Sequence, residues 1–209
     1  MSNPTTPASI GPGEFFPVVG VGPHEKPWPE GAHYDPELLL NGDRRNVLDH
    51  YRYWTVEAIV ADLDSKRHKL QIAIENWQHD LNIGSIVRTA NAFNVSGVHI
   101  VGKRDWNKRG AMVTDRYLTV HHHPTVEDFA LWCKENQLPI IGIDNVPGSK
   151  QLESAQLPEK CVLLFGQEGA GMSDEGIAVC EVLYEINQYG STRSMNASAA
   201  GAIAMYHWA

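Results

Sequence analysis

Short runs of apolar and β-branched residues alternate with segments of helical spacing along the chain from about residue 69. The strand-like runs are 69–76, 97–102, 138–144, 160–166 and 181–186, and the helical segments are 83–93, 125–137, 173–180 and 194–207. Apolar strands that alternate with helices are typical of a mostly parallel sheet with helices on both faces. The pattern therefore predicts an α/β fold. Segment 104–123 interrupts it and predicts either an extra strand or a functional loop.

The first third of the chain lacks this alternation. Residues 1–32 contain seven of the twelve prolines, five glycines and no periodic apolar pattern, which predicts a flexible or extended leader. Residues 33–66 predict an amino-terminal helical extension, and 67–209 the α/β domain.

Two helices are predicted within the extension. Asp35 and Pro36 form a typical helix start, and Gly42 a stop. The second helix is predicted over 49–64, where its apolar residues form a stripe. Three arginines are then expected to remain in solvent: Arg44, Arg45 and Arg52.

Composition is that of an ordinary globular protein, with 43% hydrophobic and 20% charged residues. No apolar run approaches the roughly 18–20 residues that span a bilayer, and the first residues lack the basic start and apolar core of a signal peptide. Cys133, Cys161 and Cys180 are odd in number and widely spaced, which indicates neither a disulfide framework nor a CxxC site. A cytoplasmic location is the resulting expectation.

The net charge of −8 is unevenly distributed. Residues 44–116 hold 12 lysines and arginines against 8 acidic residues, whereas the rest of the chain is strongly acidic. The basic residues form clusters, which are either solvated surface or contacts for a polyanion such as RNA. The clusters are Arg44 and Arg45; Lys66, Arg67 and Lys69; and Lys103, Arg104, Lys108 and Arg109.

The first candidate segment joins the strand at 69–76 to the helix at 83–93. Asn82 lies where the helix begins, so its side chain can cap the helix, and Gly84 leaves the first turn uncrowded. Arg88 follows Asn82 by six residues, which is 240° around an ideal helix, so the two side chains need not share a face. By itself this pattern is also that of a capped helix with a surface arginine.

The second candidate segment is a glycine-rich turn after the buried strand Leu163-Leu164-Phe165. Gly166, Gly169 and Gly171 surround Glu168 and permit positive φ or close approach of a ligand. The spacing matches neither a Walker A loop nor a GxGxxG fingerprint, which disfavours ATP hydrolysis and nicotinamide chemistry. From the residues alone, Glu168 is either a site residue or a loop carboxylate that pairs or caps.

The third candidate segment opens with Ser194, Met195 and Asn196 and continues into a run of small residues. A helix rich in alanine, serine and glycine can pack unusually close to another stretch of chain. Ordinary helix packing explains the alanines but not the polar pair at the head of the helix.

Together the three segments, in this order and spacing, resemble the SpoU/TrmH branch of the SPOUT RNA 2′-O-ribose methyltransferases over roughly residues 69–208. The family's Asn-x-Gly-x-x-x-Arg pattern is matched by Asn82, Gly84 and Arg88. Its Gly-x-Glu-x-x-Gly pattern is matched by residues 166–171, and its Ser-Leu-Asn pattern by residues 194–196, with Met for Leu. Asn187 follows Ile186 where the family has Ile-Pro, so a proline-fixed turn is not encoded here.

The resemblance implies a parallel sheet whose carboxyl-terminal part forms a deep trefoil knot, a homodimer with the active site near the subunit interface, and S-adenosylmethionine as the methyl donor. The residues it assigns to the donor site are Gly142, Ile143, Gly166, Gly171, Ile186, Ser194 and Met195. It implies no metal.

The implied reaction transfers a methyl group from a sulfonium to a ribose 2′-hydroxyl of tRNA or rRNA. The 2′-hydroxyl makes the substrate RNA rather than DNA. The catalytic residues implied are Arg88, with Asn82, Glu168, Ser194 and Asn196 to orient it and the ribose. A guanidinium is normally protonated, so Arg88 either removes the hydroxyl proton or holds the adjacent phosphate and stabilises the developing alkoxide.

Two other functions fit the sequence. One is a non-catalytic RNA-binding protein of the same fold, which the negative charge and Asn187 favour; the other is a nucleotide-binding α/β protein unrelated to RNA. His121, His122 and His123 allow a metal cluster in principle, but three consecutive strand residues cannot all face one ion. The amino-terminal extension either contacts RNA or covers the sheet.

Overall fold

The computed structural model describes residues 20–78 and 82–209. The chain divides into two compact units, one ending at Ile59 and the other comprising Val60–Ala209. The division lies within the predicted helical extension rather than at its end near residue 66. Most of the predicted leader, residues 1–19, lies outside the described residues.

The second unit is built on one parallel sheet of seven strands in the order β3-β2-β1-β6-β4-β7-β5. This confirms the predicted α/β class and the five predicted strands, to within a few residues at their ends. The strands are β1 His68–Asn76, β2 Val95–Gly102, β3 Val120–His123, β4 Ile140–Ile143, β5 Lys150–Gln151, β6 Val162–Phe165 and β7 Val182–Glu185.

Helices cover both faces of this sheet. The central strands bury their side chains on both sides, which explains their uninterrupted apolar sequence. The helices are α3 Asn82–Ala92, α4 Val126–Glu135, α5 Asp174–Ala178 and α6 Ala197–Trp208. One buried cluster joins Ile72 and Ile74 to Ile86 of α3 and Met205 of α6, and the other joins Ala73 to Phe129 of α4.

Strand order brings distant parts of the chain to one edge. β6 pairs with both β1 and β4, so it lies between strands that precede it by many residues. Because all strands run in parallel, the loops that follow β1, β4, β6 and β7 leave the same edge of the sheet. The three candidate segments belong to these loops.

Segment 104–123 contains the extra strand that was one of its two predicted forms. Two short 3-10 turns, Lys108–Ala111 and Thr114–Tyr117, precede β3. Met112 and Val113 connect these turns with left-handed φ angles of 49° and 66°. Periodicity could not reveal such turns, because each holds only a few residues.

The first unit contains α1 Pro36–Asn41, capped by Asp35 and ended at Gly42 as predicted. The predicted second helix begins later than expected. Residues Asp49–Tyr51 form a 3-10 turn, Tyr53 has a φ of 64°, and α2 covers only Val56–Asp64.

The prediction that three arginines remain in solvent was wrong for two of them. Arg44 is exposed, but the side chains of Arg45 and Arg52 are only 17% and 16% exposed. Arg45 donates to both carboxylate oxygens of the fully buried Asp43, at 2.9 and 2.7 Å. Burial raises the pKa of Asp43, but the hydrogen bonds from Arg45 and from the Tyr53 amide, together with the charge of Arg45, outweigh it and leave that pKa below its ordinary value.

A buried histidine pair lies between β2 and β3. His99 is fully buried, its Nδ1 is 2.9 Å from Nε2 of His123, and its Nε2 is 2.6 Å from the amide oxygen of Gln71. His121 stacks on His99, while Nε2 of His122 bonds the Gly102 carbonyl. Within the described ranges, no group of three or more histidine, cysteine or acidic residues is arranged to hold a metal.

The His99 site predicts a loss of stability in mild acid. Burial, with lesser repulsion from His121 and His123, lowers the pKa of His99 from 6.5 to about 2. Below pH 6.5 His99 binds a proton in the unfolded chain but not in the folded chain, so the free energy of unfolding decreases as the pH decreases. One such group accounts for about 1.4 kcal/mol per pH unit. Urea unfolding at pH 7.5 and 5.5 should show a smaller loss in His99→Gln than in the wild type.

His50→Gln is the matched control, because His50 is exposed in the first unit. It should retain the wild-type dependence on pH. Equal losses in all three proteins would contradict the assignment of this dependence to His99.

Among the described helices, none has the length and apolar character needed to cross a bilayer.

Candidate active site

Three polar side chains from distant loops meet at the carboxyl edge of the sheet. Asn82 at the start of α3 donates through Nδ2 to Glu168 Oε2 at 2.8 Å. Asn196, which precedes α6, donates through Nδ2 to Asn82 Oδ1 at 2.8 Å. Glu168 Oε2 also accepts from the Ala197 amide at 3.1 Å. The structure therefore brings together three of the five predicted catalytic residues in one hydrogen-bonded network.

Glu168 is presented by a tight turn. Gln167 and Gly171 exchange two backbone hydrogen bonds of 3.0 Å, so residues 168–170 form the tip of a small hairpin. A Cβ on Gly166 would lie 2.1 Å from the Gly171 carbonyl carbon and 2.2 Å from the Met172 nitrogen. Only glycine fits there, which explains the first glycine of this segment.

Asn196 has two roles. Its Oδ1 accepts from the amides of Ser198 and Ala199 at 3.0 and 3.3 Å, so it caps α6, while its Nδ2 contacts Asn82. The predicted helix at 194–207 therefore begins three residues late, because Asn196 is the cap. Ser194 is exposed and lies before this cap, at a cavity rather than in the network.

A cavity of about 270 Å³ opens beside this network. Its wall is formed by the loops that follow β4, β6 and β7 and by the first turns of α6. Six of the seven residues predicted for the donor site line it: Ile143, Gly166, Gly171, Ile186, Ser194 and Met195. Gly142 does not, since the space on its Cβ side is filled by Leu183, Cys180 and Met172.

Two polar side chains also line the cavity, and one of them, Gln188, was not predicted as a site residue. Asp144 follows β4, and its carboxylate accepts from the amides of Met172 and Asn145, both at 2.7 Å. Gln188 lies in the segment that follows β7. The available signal was position, because each residue follows a strand that ends at the same edge of the sheet.

Arg88 is exposed on α3 and forms no hydrogen bond with the described residues of the network. Among the residues that the structure describes, none is recorded as its hydrogen-bond or ion-pair partner. This agrees with the helical geometry, which does not require Asn82 and Arg88 to share a face.

Asn187 occupies the position where the resemblance leads one to expect proline. Its backbone N–H donates to Oε1 of Glu153 at 3.0 Å. A proline has no N–H and could not make this bond. The segment that leads from β7 into the cavity wall is therefore held by a carboxylate rather than by a fixed φ angle.

Removal of this carboxylate should loosen the cavity wall. We expect Glu153→Ala to weaken binding of S-adenosylmethionine about 5- to 10-fold, the equivalent of one hydrogen bond of about 1–1.5 kcal/mol. Calorimetry measures the change. The double variant Glu153→Ala/Asn187→Pro should recover part of the affinity, because proline restricts the turn without the hydrogen bond. Wild-type affinity in Glu153→Ala would contradict this role.

Comparison with known proteins shows which family this chain resembles in the region that contains these loops. The sequence profile of the SpoU rRNA Methylase family matches residues 69–206, which is most of the second unit. The chain belongs to this family. The matched region contains all three segments and the cavity.

Individual relatives carry specific names. A tRNA (guanosine(18)-2'-O)-methyltransferase of Borreliella burgdorferi is 25% identical over 147 residues, covering 69% of this chain and 67% of that protein. The enzyme of the same name from Escherichia coli K12 is 25% identical over 147 residues, covering 69% of this chain and 64% of its own length. This chain thus spans about two thirds of the length of these relatives.

Solved structures share the fold. The SpoU methyltransferase AviRb from Streptomyces viridochromogenes, in complex with the cofactor AdoMet, superposes with a TM-score of 0.61. It is 23% identical in sequence, and the match covers 70% of this chain and 59% of that one. At this identity the likeness establishes the fold of the second unit.

Proposed function

We propose that this protein is an S-adenosylmethionine-dependent methyltransferase that acts on a ribose 2′-hydroxyl of tRNA or rRNA. The observation that carries the proposal is the convergence of Asn82, Glu168 and Asn196 beside a cavity at the carboxyl edge of the sheet. Membership of the SpoU family and the names of the relatives support the same reaction.

The cavity fits the chemistry of the donor. Ile143, Ile186 and Met195 offer apolar surface suited to an adenine ring, while Asp144 and Gln188 offer polar groups for hydroxyl and amino groups. Bound S-adenosylmethionine would supply an electrophilic methyl group on a positively charged sulfur. The protein's contribution is then alignment and exclusion of water.

The hydrogen-bonded network would position the acceptor ribose. Asn82 and Asn196 hold each other and Glu168 in one arrangement, so little reorganisation is needed when RNA binds. Ser194 lies at the cavity mouth and is assigned to ribose orientation. We assign Arg88 to the reacting hydroxyl or its neighbouring phosphate, where a guanidinium stabilises developing negative charge.

We further propose that the active site forms in a homodimer. Arg88 is exposed on α3 and forms no hydrogen bond with Asn82, Glu168 or Asn196 of its own chain. The neighbouring α6 exposes Ile203 and Tyr206, which are 42% and 77% accessible and lie on one helical face. A second copy that covers this face would complete the site.

A carboxyl-terminal trefoil knot is also proposed. Two hydrogen bonds of the last segment support it, one with the loop that follows β4 and one with the residues that precede β6. Asn145 Nδ2 donates to the Arg193 carbonyl, and beyond it Trp208 Nε1 donates to the Pro158 carbonyl at 2.9 Å. The insertion of β6 between β1 and β4 fits such a path.

A cytoplasmic location is consistent with the cysteines. Cys133, Cys161 and Cys180 are free thiols, and burial raises the pKa of each to about 12. Such thiols neither pair nor react readily, as is common where disulfides do not form.

The proposed function is tested by tritium transfer from labelled S-adenosylmethionine to unmodified tRNA and rRNA, followed by mapping of the methylated nucleotide. We expect incorporation at a ribose 2′-oxygen, which makes the adjacent phosphodiester bond resistant to alkaline cleavage. RNA binding without donor binding or transfer would instead favour the non-catalytic RNA-binding alternative.

A further inference from the structure

The loop that follows β2 holds the largest cluster of basic residues in the second unit. We call residues 103–113 the basic loop. It contains Lys103, Arg104, Lys108 and Arg109 against one acidic residue, Asp105, in a chain of net charge −8. We propose that the basic loop binds the phosphates of the RNA strand beside the target nucleotide, an inference that rests on the proposed function.

The cations of this loop are available to a ligand. Lys103, Arg104, Lys108 and Arg109 are all exposed. Within residues 20–78 and 82–209, Lys108 forms an ion pair with Asp115 at 3.0 Å. The other three cations form no ion pair with a described residue. Exposed cations without acidic partners have their full charge available for phosphates.

The basic loop lies against the helix turn that begins with Asn82. A Cβ on Gly84 would lie 2.8 Å from the Asn107 carbonyl oxygen and 2.9 Å from the Gly110 Cα. A Cβ on Gly110 would lie 2.9 Å from the Ser85 nitrogen. The two glycines therefore let the two backbones touch. This contact gives a physical reason for the glycine of the Asn-x-Gly segment and places the backbone of the basic loop against the helix turn that carries Asn82.

The loop is held in place before any RNA arrives. Asn76, fully buried at the end of β1, donates through Nδ2 to the carbonyls of Lys103 and Asp105 at 2.7 and 2.9 Å. Trp106 packs against the main buried cluster. At the far end Val113 keeps a φ of 66°, which a β-branched residue adopts only when its surroundings impose it. A fixed loop loses little entropy on binding, so its charges can position a strand.

Phosphate contacts of this kind fix the register of the RNA strand on the protein and do not discriminate between base sequences. The acidic remainder of the chain repels a polyanion, so the strand should reach the network along the basic loop. A protein partner with an acidic surface is the competing occupant. The salt dependence of RNA binding and the Michaelis constant for RNA distinguish the two.

The first test removes charge. The triple variant Lys103→Ala/Arg104→Ala/Arg109→Ala is compared with Lys134→Ala/Lys150→Ala/Lys160→Ala, which removes the same charge at exposed positions outside the loop. RNA affinity of the first variant should fall roughly 10- to 100-fold at about 0.1 M salt. The slope of log affinity against log salt should decrease by about 2, at roughly 0.7 per lost contact with a single strand. Affinity for S-adenosylmethionine should not change.

The control variant should bind RNA within about 3-fold of the wild type, with an unchanged slope. Equal RNA affinity in the two variants would overturn the proposal, whether both are weakened or neither is. If the wild type methylates RNA and the loop variant keeps its Michaelis constant, the basic loop is refuted while the proposed function stands. If the wild type neither binds nor methylates RNA, the proposed function itself fails.

The second test moves the loop without changing its charge. Gly110→Ala forces the loop away from Ser85, because the added methyl group meets backbone. We expect a higher Michaelis constant for RNA, with an unchanged salt slope and donor affinity. Gly190→Ala is the control, since no atom lies within 4 Å of its Cβ position and no positive φ is involved. A wild-type Michaelis constant in Gly110→Ala would show that placement of the loop is unimportant and contradict the proposal.

Discussion

Replacement of Arg88 by alanine is expected to lower kcat/KM for RNA methylation by about 100-fold or more, the usual effect of removing a proton-transfer or charge-stabilising group. Affinity for S-adenosylmethionine should remain at the wild-type value, because Arg88 lies outside the cavity lining. Tritium transfer at saturating donor measures the first quantity and calorimetry the second. Arg88→Lys should recover only a small part of the activity, since an ammonium lacks the planar fork of the guanidinium.

Arg116→Ala provides the comparison, because Arg116 is also an exposed arginine of the second unit. It should keep a turnover number near that of the wild type at saturating RNA. Equal turnover by Arg88→Ala and the wild type would remove Arg88 from the reaction. A dependence of the Arg88→Ala defect on pH would separate the two proposed roles, since loss of a proton acceptor is partly offset at higher pH.

The second large effect is expected from Gly166→Ala. The new methyl group would overlap backbone atoms of Gly171 and Met172, which cannot withdraw without breaking the paired hydrogen bonds of Gln167 and Gly171. Overpacking of this kind costs about 1–3 kcal/mol in unfolding free energy. Because the displaced turn also forms the cavity wall and carries Glu168, affinity for the donor should fall at least about 10-fold.

Urea unfolding and donor calorimetry test both parts of this prediction. Gly190→Ala is the matched control, since its Cβ position has no neighbour within 4 Å and no positive φ is involved. It should be neutral or stabilising by up to about 1 kcal/mol. Wild-type stability together with wild-type donor affinity in Gly166→Ala would show that the turn tolerates expansion and that its glycine has another purpose.

Local rules succeeded where one element is decided by its own residues. Asp35 caps α1 and Gly42 ends it, as the sequence predicts. The start of α2 failed because Tyr53 adopts a positive φ, a choice that no propensity of tyrosine favours. The predicted exposure of Arg45 was wrong for a related reason. Asp43 is buried, and its carboxylate needs the paired charge of Arg45.

The site divides in the same way. The resemblance carried by the three segments implied six residues of the cavity wall, and the structure shows that they follow strands ending at one edge of the sheet. Gly142 was predicted with them, yet it faces Leu183, since one residue along a strand reverses the side. The bond from Asn187 to Glu153 joins residues 34 positions apart, and no local pattern foretells it.

Sequence alone determined the α/β class, the positions of most strands and helices, and the three segments that carry chemistry, because periodicity and glycine placement are local properties. Tertiary structure decided which groups meet: the insertion of β6 between β1 and β4 brings Asn82 to Glu168, 86 residues away along the chain. It also brought the basic loop against α3 through Gly84 and Gly110. Long-range pairing depends on the whole sheet at once, and so it cannot be inferred from any one segment.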